Sequence, residues 1–311
     1  MALLVTPPAA RAASCCGGGS AASLILPKGG RAMMAVSLGR EHYDGLWRRN
    51  GNWVPDPPGS ELNQYRLNLG LGRRLGDDWQ ASINLPYVWN RNRYSGLDSK
   101  TAGLGDSSVS LWYESFDAPM CTYTVDSLAD LMPAVYWGAT LTLPTGISPY
   151  DEVRDNFDIT GRGFYRLDAS VLIDKTVYPW TASLQAAYGR YLERPVNREY
   201  GNYVEPYHKQ LGDRYNWSLS GGYIHFTGSL QEITTTLAYS ELHETESTID
   251  GDKDPTSGFF KRSLTLSIAW ANAKKDWIVK GSWNHPRRAD DWGRNFPRTD
   301  IITVGVSHVW W

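Results

Sequence analysis

Thr299-Asp300-Ile301-Ile302-Thr303-Val304-Gly305-Val306-Ser307-His308-Val309-Trp310-Trp311 is the stretch that decides the fold. Ile302, Val304, Val306, His308 and Trp310 fall on one face, and Thr303, Gly305, Ser307, Val309 and Trp311 on the other. Period-two alternation marks a strand with one apolar side. A strand that ends on aromatics is expected where a barrel closes its last strand onto its first, because closure removes the exposed edge. This reading pairs residues 302–310 with residues 32–40. The apolar parity runs out at Trp310, so Trp311 should turn inward or sit at the periplasmic rim.

The pattern recurs about twelve times along the 311 residues. Ala32, Met34, Val36 and Leu38 form one apolar face, and Tyr65, Leu67, Leu69 and Leu71 another. In the second case the opposite face is Gln64, Arg66, Asn68 and Gly70. Aromatics recur at the ends of apolar faces: Trp79 and Trp89, Trp180 and Tyr188, Tyr215 and Tyr223, Trp277 and Trp283. That spacing places two aromatic girdles about one bilayer core apart. Connections alternate too. Residues 76–78, 174–179, 224–228 and 272–276 are short, whereas 45–60, 94–105, 146–161, 193–212, 244–257 and 286–298 are long and polar. Short periplasmic turns alternating with long external loops are the outer-membrane pattern. One long segment, 117–133, falls on the periplasmic side.

Composition agrees. There are 14 Trp and 18 Tyr against 7 Phe, and Trp and Tyr are the aromatics that settle at membrane–water interfaces. Mean hydropathy is −0.42, and no run approaches the roughly 18 apolar residues of a spanning helix. A soluble Trp-rich sandwich has the same composition but no reason to place aromatics in two rows. The fold class is therefore all-β, a transmembrane antiparallel up-and-down β-barrel of about twelve strands. The net charge of −2 gives no electrostatic case for nucleic acid.

Residues 1–14 read as the remnant of a signal peptide, 15–30 as a flexible periplasmic extension, and 31–311 as the barrel. Cys15, Cys16 and Cys121 are the three cysteines, with no CxxC spacing. Cys121 lies in the periplasmic segment 117–133, so a disulfide to Cys15 or Cys16 is allowed in an oxidising compartment.

Leu85-Pro86-Tyr87, Gly103-Leu104-Gly105-Asp106 and Leu143-Pro144-Thr145-Gly146 form a set of short motifs. With them, the chain resembles the MetA-pathway-of-phenol-degradation transporters of Gram-negative outer membranes and related uncharacterised barrels. The resemblance covers residues 15–192 by motif and the remainder by pattern. It implies passage of hydrophobic or aromatic small molecules.

The polar parity puts Gln64, Arg66, Asn68, Gln80, Ser82, Asn84, Glu114, Arg166, Asp168, Gln185, Glu232 and Lys280 on the inward face. Arg66, Arg166 and Asp168 fall in the outer half, and Lys280, Glu232 and Glu114 in the inner half. No basic ring that attracts anions is evident. These residues are expected either to line a pore or to fill a narrow lumen, since twelve strands lie between side-chain-filled barrels and open porins. No His–Ser pair shares height and face, as nucleophilic chemistry would require, and no catalytic residue, cofactor or metal is expected. His308 reads as an interface residue. The loop 193–212, with Arg194, Arg198, Tyr200, Tyr203, Tyr207 and His208, either binds a glycan or lipopolysaccharide or covers the barrel mouth. The leading function is a porin-like channel for small solutes. The alternatives are a closed docking barrel for other envelope proteins and, less favoured, an outer-membrane lipid-modifying enzyme. Expected partners are outer-membrane lipid and lipopolysaccharide, a small-molecule solute and an envelope protein.

Overall fold

The structure is a computed structural model that describes residues 24–47, 52–116, 121–154, 158–228, 230–287 and 296–311. Twelve long strands close into one barrel. They are β1 (Ala32–Trp47), β2 (Glu61–Arg74), β3 (Trp79–Tyr94), β4 (Ser107–Ser115), β5 (Ala134–Leu143) and β6 (Arg166–Val177), then β7 (Trp180–Tyr191), β8 (Arg214–Phe226), β9 (Glu232–Glu244), β10 (Phe259–Ala271), β11 (Trp277–Arg287) and β12 (Phe296–Trp310). Each pairs antiparallel with its sequence neighbours, and β12 pairs with β1. Closure has the expected register, from Ala32 opposite Trp310 to Arg40 opposite Ile302. Trp311 lies just past the strand at the inner rim and is exposed.

The side chains are sorted inside out relative to a soluble protein. Leu38, Leu67, Trp137, Leu219, Leu237, Ile302 and Val304 point outward and are exposed, while Gln80, Ser110, Glu114 and Ser267 point inward and are buried. This is the arrangement lipid requires: every backbone group is satisfied within the closed ladder and apolar side chains face the hydrocarbon. The aromatic rows form where the sequence placed them. Trp79 contacts Tyr113, Trp180 contacts Tyr223 and Tyr188 contacts Tyr215, each with ring centroids 5.0–5.2 Å apart. His308 lies on the same outward face, between Trp277 at 4.6 Å and Trp310 at 4.5 Å.

The long periplasmic segment is anchored to the rim. Cys121–Thr122 adds a short parallel pairing to β6, and Lys175 donates to the Met132 carbonyl at 3.0 Å. At the outer end, four of the expected loops carry further strands, the shortest being Trp53–Val54 beside β1. Leu97–Leu104 continues the β3 ladder beyond the barrel. Arg194–Glu199 and Asn202–Gln210 form a hairpin that joins Thr248–Ile249 and Asp252–Lys253 in a separate four-stranded sheet.

Candidate functional site

The lumen has two built features, one at each end. The inner one is made by residues 24–30. Part of the segment expected to be a flexible extension, they are packed inside the barrel. Leu26 is 1% exposed and packs with Met33, Ala271, Ile278 and Val309, with Leu24 against the same group. Ile25 packs against the buried Trp112, Ala134 and Tyr136 of β4 and β5. Leu24 and Leu26 therefore touch one part of the wall and Ile25 another, so the segment crosses the lumen. Gly70 and Gly72 of β2 leave room for it: a Cβ at Gly72 would stand 2.7 Å from Leu26 Cδ1. Glycine in a strand marks such close backbone approach.

Polar contacts hold the segment in place. Leu26 N–H donates to Gln80 Oε1 at 2.5 Å. Arg74 donates to the carbonyls of Gly30 at 3.0 Å and Pro27 at 3.3 Å, and its guanidinium lies 3.5 Å from Glu114. Lys28 stands 3.9 Å from the same carboxylate. Glu232, also at the inner end, pairs with Lys275 at 2.7 Å, and both side chains are buried.

The outer feature is built where β6 to β9 reach the mouth. Arg166 lies opposite Tyr191, Gly189 opposite Arg214, and Arg214 opposite Glu244. Four adjacent strands thus each supply one inward side chain. Arg162 joins them from the loop before β6. Its Nη1 donates to Glu244 Oε1 and Oε2 at 2.7 and 2.6 Å and to the Tyr191 hydroxyl at 3.1 Å. Arg166 donates from Nε to both Asp168 oxygens at 2.9 Å and from Nη1 to the Tyr191 hydroxyl at 3.2 Å. Arg214 donates to Tyr191 as well. Three guanidiniums therefore converge on one phenol oxygen. Desolvation opposes the Arg162 charge, but Tyr191 and Glu244 outweigh it and the pKa is raised. The guanidinium also lies over the Tyr191 and Phe259 rings, at 5.7 and 5.5 Å.

The short motifs of the sequence position Arg162. Asp106 accepts from Gly146 N–H at 3.1 Å and from Arg162 N–H at 2.6 Å. Thr145 Oγ1 donates to the Gly105 carbonyl at 2.6 Å, and Thr160 Oγ1 to the Leu104 carbonyl at 2.6 Å. A Cβ on Gly161 would collide with the Asp106 carboxylate. The Gly103–Asp106 and Leu143–Gly146 motifs thus meet and clamp both ends of the loop 144–165. Asn90, facing inward from β3, donates to the Ile159 carbonyl at 2.9 Å and draws that loop over the mouth. The outer sheet covers it: Arg194 stacks over Tyr150 at 4.8 Å and donates to the Gly163 carbonyl at 2.5 Å. A cavity of about 340 Å³ opens there, lined by Pro144, Phe164, Tyr165, Leu192 and Arg194 among others.

The strand register places Gln64, Arg66, Asn68, Gln80, Asn84, Glu114, Arg166, Asp168, Glu232 and Lys280 on the inward face. They do not form one site. Gln80 and Glu114 meet the inserted segment, Arg166 and Asp168 belong to the mouth, and Glu232 is held by Lys275. Parity did not reveal Arg162, Tyr191, Arg214 and Glu244, because they lie in a loop or at strand ends. The sequence showed no basic ring, and the fold places three arginines on one side of the mouth. Of the disulfide expected between Cys121 and Cys15 or Cys16, the last two residues lie outside the described residues. In the 193–212 hairpin, Arg198 stacks on the exposed Tyr203 at 4.6 Å.

No protein-family model matches the chain, and no curated protein matches it. Solved structures do. The COG4313 outer membrane channel from Pseudomonas putida F1 superposes with a TM-score of 0.66 over 92% of this chain and 97% of that one, at 16% identity. The β domain of the Bordetella autotransporter BrkA gives 0.52 over 90% and 100%, at 12% identity. These likenesses are of fold. Together with the lipid-facing apolar band, they define an outer-membrane β-barrel.

Proposed function

We infer that the barrel is a channel for small solutes, hydrophobic or aromatic in character, with residues 24–30 as its inner stopper. It carries out no reaction on what it passes. The observation that supports this reading is the nature of the obstruction. A barrel built to be closed fills its lumen with side chains from its own strands. Here the inner end is filled by a separate, non-strand segment seated on glycines, and the β1 ladder of the wall begins after it, at Ala32. The likeness to the phenol-degradation transporters points to aromatic solutes, and the COG4313 protein is itself described as a channel. Fold analogy alone does not fix a substrate.

A second reading, a docking barrel, has an observation of its own. The periplasmic segment exposes Tyr123, Val125, Leu128, Leu131 and Met132 together, with Leu128 at 87%, and contiguous exposed apolar side chains mark contact surfaces. Planar-bilayer recording separates the readings. A channel should conduct, and should conduct more when residues 24–30 are deleted. Proteoliposomes should also take up phenylalanine, an aromatic solute that crosses lipid poorly. If the deleted barrel folds, carries no current and takes up nothing, the channel reading fails and docking stands.

A further inference from the structure

We propose that the lipid-facing wall of β1 to β3, at the outer boundary of the membrane, binds the phosphate groups of lipopolysaccharide, and that Arg40, Arg91 and Lys100 hold them. The site lies outside the lumen and stands whether or not the barrel conducts. The strand register sets its residues in two rows. Trp283, Ile302, Arg40, Tyr65 and Trp89 are neighbours on successive strands, in the outer aromatic row. One step farther out come Asp300, His42, Asn63, Arg91 and Lys100. These residues share the parity of Leu38, Leu67, Tyr87 and Leu104, which are exposed on the outer surface. Arg40, Arg91 and Lys100 are exposed as well. Arg40 is thus a cation set in a row that the neighbouring strands fill with aromatic and aliphatic side chains.

The wall itself positions Arg40. Its Nε and Nη2 donate to Asn63 Oδ1 at 3.0 and 2.9 Å, and His42 Nδ1 lies 3.2 Å from the same oxygen. Asn63 is 2% exposed, and its backbone N–H donates to Asn92 Oδ1 at 3.0 Å, so the acceptor is fixed. Among the described residues no acceptor meets Nη1 of Arg40. Arg91 and Lys100 stand directly opposite each other, and like charges so placed repel. Among the described residues neither is in an ion pair. The carboxylates around them are engaged elsewhere. Asp300 accepts from Trp283 Nε1 at 3.2 Å and meets His285 Nδ1 at 2.7 Å. In the next row out, Glu61 accepts from Asn63 Nδ2 at 3.2 Å, and Asp98 pairs with Arg93 at 3.0 Å. Asp44 and Asp56 lie farther out, Asp56 accepting from Gly45 N–H at 2.9 Å. Glu41 has the opposite parity and faces the lumen, and Asp158 accepts from Ser99 and Thr101 on the other face of Leu97–Leu104. A phosphate supplies what the three cations lack. Arginine matches two phosphate oxygens in parallel bonds, and lysine adds a point charge. Arg40 and Arg91 are two strands apart, about 10 Å, so a lipid with two phosphates engages both. Tyr65 and Trp89, stacked at 5.8 Å, and Tyr87, 6.2 Å from Trp89, give its acyl chains a surface directly below. An acidic protein segment would neutralise the cations but leave that apolar surface uncovered.

The test uses the full chain refolded in non-ionic detergent without lipopolysaccharide, titrated with diphosphoryl lipid A and read by native mass spectrometry. Lipid A should bind at least tenfold more tightly than its dephosphorylated form and than phosphatidylglycerol. Arg40→Gln combined with Arg91→Gln and Lys100→Gln should reduce that affinity at least tenfold. Arg73→Gln is the control: it removes an exposed cation of the same parity from the inner end of β2, opposite Ala32, and should change nothing. Heat-modifiable mobility on gels reports that each variant is folded. Unchanged lipid A binding in the folded triple variant, or equal binding of the dephosphorylated lipid, overturns the proposal. Equal binding of phosphatidylglycerol, or displacement of lipid A by an equal concentration of inorganic phosphate or of polyglutamate, assigns the site to anionic lipid in general, to the free ion or to an acidic protein, and overturns it likewise.

Discussion

Leu26→Ala isolates the stopper from the barrel. Leu26 is 1% exposed and sits among Met33, Ala271, Ile278 and Val309. Burying a leucine side chain contributes about 2–3 kcal/mol. The ladder that closes the barrel begins at Ala32 and includes none of residues 24–30, so the loss should fall on the seating equilibrium and not on the barrel. At roughly 1.4 kcal/mol per factor of ten, the unseated fraction should rise roughly 30- to 140-fold. The Leu26 N–H bond to Gln80 and the Arg74 contacts remain, so seating is weakened and not abolished. Single-channel recording reads this directly as the fraction of time in the high-conductance state. Leu38→Ala is the control: it removes the same atoms from a side chain that is 48% exposed on the lipid face, and it should leave gating unchanged. If open-state occupancy in folded Leu26→Ala stays within about twofold of the parent, residues 24–26 do not seal the lumen through apolar packing.

Other consequences follow from the buried and clamped groups. Glu232→Gln leaves the Lys275 ammonium buried without its counter-charge, at a cost of about 3–5 kcal/mol. The temperature of heat-modifiable gel migration should fall, and Glu232→Gln with Lys275→Met should recover most of the drop. Asp106→Ala strips the acceptor from the Gly146 and Arg162 amides, each bond being worth about 1.5–3 kcal/mol; protease added outside should then cut the loop 144–165 faster. In the periplasmic segment, hydrogen bonds from the Ser127 hydroxyl and from the Ser127 and Asp126 amides hold the Asp130 carboxyl below its ordinary pKa. A depressed carboxylate stabilises above its unfolded pKa of about 3.9 and loses that contribution as pH falls through the lower folded value. Amide protection in 121–133, relative to the intrinsic exchange rate at each pH, should therefore fall only on strong acidification, and Asp130→Asn should show reduced protection at all pH values.

The legibility of this chain follows the apolar parity. Along most strands the lipid-facing parity is apolar, with β9 the weakest through Thr235 and Glu241, and β12 was readable down to its register because a one-residue slip would turn Val304 and Val306 into the lumen. The strands that were missed, Leu97–Leu104 and the Arg194–Gln210 hairpin chief among them, extend from the outer end of the barrel. No face there must be apolar, so no period was written. The seating of residues 24–30 was hidden for a different reason: Leu24-Ile25-Leu26 is too short to show a period, and its partners come from strands at both ends of the chain.

By itself, the sequence determined that this is a twelve-stranded outer-membrane barrel, which side chains face lipid, and which face the lumen. Lipid imposes those choices residue by residue, so they are local. Only the tertiary structure decided what the lumen contains. Gly70 and Gly72 became the seat of an inserted segment because Leu24 and Leu26 fold back onto them. Arg162, Arg166 and Arg214 became one site because Asp106 clamps a loop over four strand ends and Tyr191 stands where they meet. Curvature brings together residues scattered across about eighty positions, Arg162 and Glu244 lying 82 apart, and no periodicity along the chain encodes such a meeting.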